Sequence, residues 1–145
     1  MSVYLDASAL MAVLLREPTR QAVERFLQSE PSQPTISSFC IGECSAAIAG
    51  LATMARKTEA EATVLLAALD QWIAVTAIAA DVRDADIVQA TRLVRRLDLR
   101  LRLPDAIHIS TAQRLRATLV TLDRAQACAA RAAGVACINP AESSA

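Results

Sequence analysis

Short apolar runs alternate with longer amphipathic segments along almost the whole chain. A short apolar run bounded by polar or turn residues is typical of a buried strand, especially where β-branched residues are frequent. These runs predict strands over residues 2–5, 35–37, 73–78, 118–122 and 135–138.

The segments between the predicted strands repeat their apolar positions at the helical period of about 3.6 residues. Thr58 and Glu61 have the spacing of a capping box. Pro104 suits a first helical turn, and Gly134 suits a helix end. The predicted helices cover residues 7–15, 18–30, 38–56, 58–72, 81–97, 104–116 and 124–133.

Strands and helices therefore follow one another in turn, without internal repeats or a low-complexity linker. Short apolar strands separated by helices predict a parallel sheet that is covered by helices on both faces. The fold class is therefore α/β. The chain has 145 residues, and we expect a single domain over residues 1–145.

Composition narrows the functional classes. A hydrophobic content of 54% and a mean hydropathy of +0.33 exclude a disordered chain. The chain has 15 basic and 15 acidic side chains and a net charge of +0, which excludes a strongly basic nucleic-acid module and an acidic tail. Aromatic residues make up 3%, too few for a row of rings that stacks on bases. The high apolar content favours an apolar surface that contacts a partner.

The uncharged runs are shorter than the roughly 18 residues that a membrane span needs. No basic residue precedes position 16, so the N-terminus does not resemble a signal peptide. The cysteines are Cys40, Cys44, Cys128 and Cys137, without a C-x-x-C pair. We therefore predict a cytoplasmic protein with reduced thiols rather than disulfides or a zinc site.

Four carboxylates differ from the other acids in their sequence surroundings. Asp6 and Asp123 each follow a predicted strand, and Asp105 lies in the first turn of an otherwise apolar helix. Glu43 is the only charged residue over positions 31–55. Burying an unpaired carboxylate there would be costly, so Glu43 needs a cation or a strong hydrogen-bond donor.

In open α/β sheets, ligands bind outside the carboxyl ends of the strands, where Asp6 and Asp123 would lie. Converging carboxylates without a nearby lysine repel one another, and a hard divalent cation with oxygen ligands relieves that repulsion. Carboxylate-bound Mg²⁺ or Mn²⁺ is suited to phosphate chemistry. The remaining acids, Asp86 among them, lie in polar segments and are expected as surface charges.

Each of the four acids also has a purely structural interpretation. Asp6 and Asp123 could cap the helices that follow them, and Asp105 could favour the positive end of its helix. Glu43 could pair with an arginine. His108, three residues after Asp105, is expected as a core histidine or a neighbour of the site rather than a catalytic base.

Four segments in order along the chain resemble the motifs of PIN-domain ribonucleases, most closely the VapC-type toxins of bacterial toxin–antitoxin systems. They read Val-Tyr-Leu-Asp-Ala-Ser-Ala-Leu (3–10), Ser-Ser-Phe-Cys-Ile-Gly-Glu (37–43), Leu-Pro-Asp-Ala-Ile-His-Ile-Ser (103–110) and Leu-Val-Thr-Leu-Asp-Arg (119–124). The similarity covers nearly the whole chain, and the four segments together are fairly specific.

The resemblance implies a three-layer α/β/α fold with a short central parallel sheet. It implies a Mg²⁺-dependent endoribonuclease, with Mn²⁺ as an alternative ion, RNA as substrate, a homodimeric state and inhibition by a cognate antitoxin. The implied catalytic and metal-binding residues are Asp6, Glu43, Asp105 and Asp123, with Ser8 and Thr121 as small polar residues beside them.

Two positions depart from the pattern of the family. An arginine commonly precedes the glutamate of the second motif by one or two residues, whereas Ile41 and Gly42 occupy those positions here. Pro104 stands before Asp105, where leucine is frequent. The first departure concerns substrate contacts rather than metal binding.

Arginines are concentrated just before Asp105, and Asp98 is the only acid among them. Guanidinium groups bind phosphates through paired hydrogen bonds, which predicts RNA binding here. A solvated helix face without a partner is the alternative. The candidate RNA-binding residues are Arg92, Arg95, Arg96, Arg100 and Arg102.

Two other functions remain open from the sequence. A PIN-like module without catalysis would bind RNA or a protein partner, and a small α/β binding protein would use the four acids only as helix caps. Convergence of the acids on one site would exclude the second function.

Overall fold

The computed structural model describes residues 2–142. The strands in this range are β1 (Val3–Leu5), β2 (Thr35–Ser37), β3 (Ile78–Ala80), β4 (Thr118–Val120) and β5 (Cys137–Ile138). The α-helices are α1 (Ala7–Leu14), α2 (Arg20–Ser29), α3 (Ser38–Thr53), α4 (Glu59–Thr76), α5 (Asp84–Arg95), α6 (Leu103–Arg114) and α7 (Arg124–Ala132). A short 3-10 helix (Leu97–Leu99) lies between α5 and α6.

The strands form one parallel sheet in the order β3-β2-β1-β4-β5. Tyr4 at the centre of β1 is aligned with Thr35 of β2 and Leu119 of β4. Because the strands are parallel, their carboxyl ends all lie at the same edge of the sheet. The predicted α/β fold with a short parallel sheet is confirmed.

The alternation of side chains along β1 divides the core into two parts. Val3 and Leu5 pack on one face of the sheet with residues from α1 to α4. Tyr4 packs on the other face with Ile109 of α6 and Leu119 of β4. Helices therefore cover both faces of the sheet, as the three-layer α/β/α expectation requires.

The predicted strand over residues 73–78 is wrong. Helix α4 continues to Thr76, and β3 begins only at Ile78. Trp72 and Ile73 pack against the same core cluster as the buried Leu69, so the segment continues the apolar stripe of the helix. The β-branched and aromatic residues that suggested a strand are used here to cover a helix face.

Asp86 is a buried residue, and its prediction as a surface charge is wrong. Its side chain is 2% exposed and accepts hydrogen bonds from Arg114 Nε at 2.8 Å and Arg114 Nη2 at 2.9 Å. It also accepts the backbone N–H of Arg83 at 2.9 Å, which fixes the start of α5. The Asp86–Arg114 pair therefore joins α5 to α6.

Cys40 and Cys44 are buried free thiols of α3, whereas Cys128 is exposed. Among residues 2–142, none of the helices combines the length and the apolarity that a membrane crossing requires.

Candidate active site

Four helices carry the four predicted acids near their first turns. Asp6 directly follows β1 and is the N-cap of α1, and Asp123 follows β4 as the N-cap of α7. Glu43 lies in the second turn of α3, which begins directly after β2, and Asp105 lies in the first turn of α6. Strands β2, β1 and β4 are neighbours, so Glu43, Asp6 and Asp123 share one edge of the sheet. The positive ends of the helix dipoles favour negative charge there.

Asp6 is buried without a cation partner among residues 2–142. Its side chain Oδ1 accepts hydrogen bonds from Ser8 Oγ at 2.7 Å and from the backbone N–H of Ala9 at 3.0 Å. Its Oδ2 accepts a hydrogen bond from Thr121 Oγ1 at 2.5 Å. Burial raises the pKa of Asp6, and the bonds from Thr121 and Ser8 oppose that rise only in part. A cation at this carboxylate would therefore be stabilising.

Thr121 connects Asp6 to the segment that carries Asp123. Its hydroxyl donates to Asp6 and accepts the backbone N–H of Asp123 at 3.0 Å. Ser8 makes a parallel connection, because its hydroxyl donates to Asp6 and accepts the backbone N–H of Leu122 at 3.0 Å. Ser8 and Thr121 thus fix the relative positions of two acids that follow different strands.

Glu43 pairs with a histidine, so the arginine partner considered from the sequence is wrong. Its Oε1 lies 2.5 Å from Nε2 of His108, and the Glu43 side chain is 32% exposed. His108 is 2% exposed, and its Nδ1 lies 2.8 Å from the hydroxyl of Tyr4. Glu43 is therefore held by a buried side chain while its own side chain stays partly exposed.

Asp105 reaches the same region from α6. Its side chain Oδ2 accepts a hydrogen bond from Arg102 Nε at 3.3 Å, and the Arg102 side chain is 77% exposed. Burial raises the pKa of the Asp105 carboxyl, the nearby charge of Arg102 opposes this, and the negative charge of Asp123 adds to it. Asp105 and Asp123 therefore repel each other across the site.

The four carboxylates of the described structure do not surround a common point as the ligands of one metal ion would. Within residues 2–142, no group of three or more His, Cys, Asp and Glu side chains is arranged to hold a metal ion. Each acid points to a protein partner instead, but one oxygen each of Glu43, Asp105 and Asp123 makes no hydrogen bond to the described residues. The chemistry of this oxygen donor set fits a hard divalent cation, which takes carboxylate oxygens as ligands.

Helix capping explains two of the four acids. Asp6 caps α1 through the backbone N–H of Ala9, and Asp123 caps α7 through the backbone N–H of Gln126 at 3.0 Å. Glu43 and Asp105 make no side-chain cap among residues 2–142. The use of all four acids only as caps is therefore excluded.

The sequence did not indicate the hydrogen-bond partners of His108 in the site. Its spacing of three residues from Asp105 was a local signal that both lie on one helix face. Its contacts with Glu43 and Tyr4 join residues that are 65 and 104 positions apart. Such distant contacts depend on the packing of α6 against β1 and α3, which no sequence spacing reveals.

The arginines predicted to bind RNA are Arg92, Arg95, Arg96, Arg100 and Arg102. Of these, Arg102 contacts an acid of the site. Arg92 and Arg95 lie exposed in the last turn of α5, where they also complement the dipole of that helix. Arg96 pairs with Asp98 at 3.2 Å.

Comparison with known proteins identifies the family of this fold and site. Residues 3–132 match the family profile described as PIN domain. The chain is 34% identical over 143 residues to ribonuclease VapC46 of Mycobacterium tuberculosis, covering 96% of this chain and 98% of that relative.

Solved structures agree at the level of the fold. The VapC20 toxin of Mycobacterium tuberculosis, described as cleaving the sarcin–ricin loop, has a TM-score of 0.69 at 20% identity, covering 92% of this chain and 96% of that chain. VapBC2 of Rickettsia felis, described as bound to a DNA fragment from its promoter, has a TM-score of 0.73 at 16% identity, covering 96% and 98%. On the match of its sequence and the agreement of its fold, this chain belongs to the PIN-domain family and, within it, to the VapC-type proteins.

Proposed function

We propose that this chain is a divalent-metal-dependent endoribonuclease that hydrolyses RNA phosphodiester bonds and acts as the toxin of a toxin–antitoxin pair. The observation that carries the proposal is the placement of four acids near the starts of four helices at one region of the fold. A relative with 34% identity is named a ribonuclease, which supports the same activity. The acids are Asp6, Glu43, Asp105 and Asp123.

In this proposal, Asp6 and Asp105 hold a Mg²⁺ or Mn²⁺ ion, and Glu43 and Asp123 complete its coordination directly or through water. Carboxylate oxygens are the ligands that these ions prefer. When bound, the ion lowers the pKa of a coordinated water and offsets the charge that develops on the phosphoryl oxygens.

Residues of the chain orient the ligands and the substrate. Ser8 and Thr121 fix both oxygens of Asp6 in place before any ion binds. Arg102 lies beside Asp105 with most of its side chain exposed, so its guanidinium can exchange that contact for an RNA phosphate. The helix N-termini around the site also favour the negative charge of the phosphate.

We further propose a homodimer whose activity a cognate antitoxin blocks. One similar structure carries a toxin–antitoxin name, VapBC2, and supports a partner of this kind. Exposed apolar side chains provide surface for such contacts, with Val64 and Val75 of α4 67% and 64% exposed and Val88 of α5 51% exposed.

The test is cleavage of an RNA mixture with Mg²⁺, with Mn²⁺ and with excess EDTA. We expect cleavage with either ion, loss of cleavage with EDTA, and recovery when Mg²⁺ is added in excess. Asp105→Asn protein purified in parallel controls for contaminating nuclease. Cleavage that EDTA leaves unchanged would overturn the metal mechanism, and RNA binding without cleavage would favour the noncatalytic PIN-like module.

A further inference from the structure

A line of buried polar groups leads from the sheet to Glu43. The backbone N–H of Cys40 donates to Ser37 Oγ at 3.0 Å, and Ser37 Oγ lies 2.7 Å from the hydroxyl of Tyr4. Tyr4 contacts Nδ1 of His108, whose Nε2 contacts Glu43. Ser37 and Tyr4 are both 0% exposed, so the line has no access to solvent before its end at Glu43.

Aromatic packing fixes the plane of the imidazole in this line. The ring of Tyr4 lies 5.7 Å from the ring of His108 between centroids, and the ring of Phe39 lies 5.2 Å from it on a separate element. Both rings are tilted by 53° to the imidazole. The position of Nε2 is therefore set by packing as well as by hydrogen bonds.

The protons of these hydrogen bonds can be arranged in two directions along the chain of groups. In only one of them does every donor have an acceptor. If Ser37 donates to Tyr4, Tyr4 donates to Nδ1 of His108, and Nε2–H of His108 donates to Glu43, every donor has an acceptor. The reverse direction sends the Tyr4 proton to Ser37 Oγ, whose two lone pairs then accept from both Tyr4 and Cys40. The Ser37 hydroxyl then has no acceptor among residues 2–142, and in a neutral ring the lone pair of Nε2 would face the Glu43 carboxylate.

We propose that His108 is a positioning residue that holds the Glu43 carboxylate in its ligating orientation, with Tyr4 and Ser37 fixing the imidazole tautomer that donates to it. This inference rests on the proposed metal-dependent nuclease activity. The hydrogen bond occupies Oε1 of Glu43 and leaves Oε2 for a metal ion or a metal-bound water. Buried groups that orient a ligand typically change metal affinity by about 10- to 100-fold when they are removed.

Two substitutions at position 108 separate positioning from simple packing. A glutamine places an amide near Nε2 and keeps a donor to Glu43, whereas an asparagine keeps a polar group near Nδ1 for Tyr4 but does not reach Glu43. The affinity for Mn²⁺ of wild type, His108→Gln and His108→Asn is measured by calorimetric titration. Urea unfolding in chelator reports the stability of each variant separately.

We expect about tenfold weaker Mn²⁺ binding for His108→Asn and an affinity within about threefold of wild type for His108→Gln. In a Glu43→Ala background, His108→Asn should cause no further loss, because the carboxylate that it orients is gone. Equal Mn²⁺ affinities in both single variants would overturn the positioning role. The same affinity loss from His108→Asn with and without Glu43 would also overturn it.

Tyr4→Phe provides a test if both His108 variants fail to fold. Phenylalanine fills the same space but removes the hydroxyl that contacts Nδ1, so Mn²⁺ affinity should fall by roughly threefold. Unchanged affinity in a folded Tyr4→Phe protein would overturn the inference. Wild-type protein that binds no Mn²⁺ would overturn the proposed function itself, and the inference with it. If wild type binds metal and cleaves RNA, but the variants bind Mn²⁺ as tightly as wild type does, only the inference is overturned.

Discussion

Two aspartates are almost equally buried, but within residues 2–142 only one of them forms an ion pair with an arginine. Asp86 is 2% exposed and Asp6 is 3% exposed. Burial acts to raise the pKa of Asp86, but the hydrogen bonds and charge of Arg114 outweigh it, and the pKa is lowered. Among the described residues, the Asp6 carboxylate accepts hydrogen bonds only from two hydroxyls and one backbone N–H, and burial raises its pKa.

The difference shows that the partner, rather than the degree of burial, separates a structural acid from a candidate functional one. A carboxylate paired with an arginine is already stabilised within the folded chain. A buried carboxylate without such a partner keeps an uncompensated desolvation cost when it is ionised. Binding of a cation would lower the free energy of that ionised form. The same substitution at the two positions should therefore have different consequences.

The largest expected effect is the loss of stability in Asp86→Asn. Asparagine keeps the size of the side chain but leaves the charge of Arg114 unpaired. The Arg114 side chain is 22% exposed and can reach water in part, so we expect a loss near the lower end of the usual range, about 3 kcal/mol. Urea unfolding measures it.

Asp84→Asn is the matched control, because Asp84 is an exposed aspartate in the same first turn of α5. It should cost less than about 1 kcal/mol, the usual size of a helix-dipole contribution. Equal losses in the two variants would mean that the contact with Arg114 contributes no special stability.

Asp6→Asn should show the opposite result, with little change in stability and a large loss of RNA cleavage. No cation among the described residues loses its partner, and asparagine can still cap α1, so stability in chelator should stay within about 1 kcal/mol of wild type. RNA cleavage should fall by at least about 100-fold, or about 2.7 kcal/mol at 1.36 kcal/mol per tenfold change. Cleavage at the wild-type rate would make Asp6 a helix cap only.

The pH dependence of stability sharpens the same contrast. The pKa of Asp86 is lowered in the folded protein, so its contribution is fully present above its unfolded pKa of about 3.9 and is lost as the pH falls through the folded pKa. Between these values wild type should lose up to about 1.4 kcal/mol per pH unit from this group.

Thermal unfolding between about pH 2 and 6 checks this expectation. Asp86→Asn should lose less stability than wild type over the acid range, so the two proteins become more alike as the pH falls. Parallel curves for wild type and Asp86→Asn would show that the Asp86 carboxyl does not titrate differently in the folded protein.

The smallest expected effect concerns the arginines of α5. Replacing Arg92 and Arg95 together with alanine should reduce the salt dependence of RNA binding by about 0.7 for each phosphate contact that is lost. Replacing Arg25 and Arg56, two exposed arginines elsewhere, removes the same charge and should leave the slope unchanged. Fluorescence anisotropy at several salt concentrations measures the slope, and identical slopes in both double variants would mean that the α5 pair faces only solvent.

The local features of this fold could be predicted from the sequence. Strand β2 lies at Thr35–Ser37 as expected, between a proline and a helix start. The capping box of Thr58 and Glu61 is present, because each partner needs only the backbone three residues away. The ion pair of Arg102 and Asp105 also has a local spacing of three residues.

The long-range features could not be predicted, because they depend on how separate elements cross. Asp86 and Arg114 are 28 residues apart and meet only because α5 packs against α6. Glu43 and His108 are 65 residues apart and meet where α3 and α6 approach β1. The identity of each acid's partner, and therefore its role, is set at this level rather than by its neighbours in the chain.

The short outer strands limit how the protein can associate with other chains. Strand β3 (Ile78–Ala80) and strand β5 (Cys137–Ile138) form the two edges of the sheet. At about 3.3 Å per residue, each edge is about 10 Å long or less. Short edges offer few unpaired backbone groups and are one way in which natural sheets avoid edge-to-edge aggregation. Growth of fibres by strand addition is therefore disfavoured at both edges, and contacts with other chains are left to the exposed side chains of helices and connecting segments.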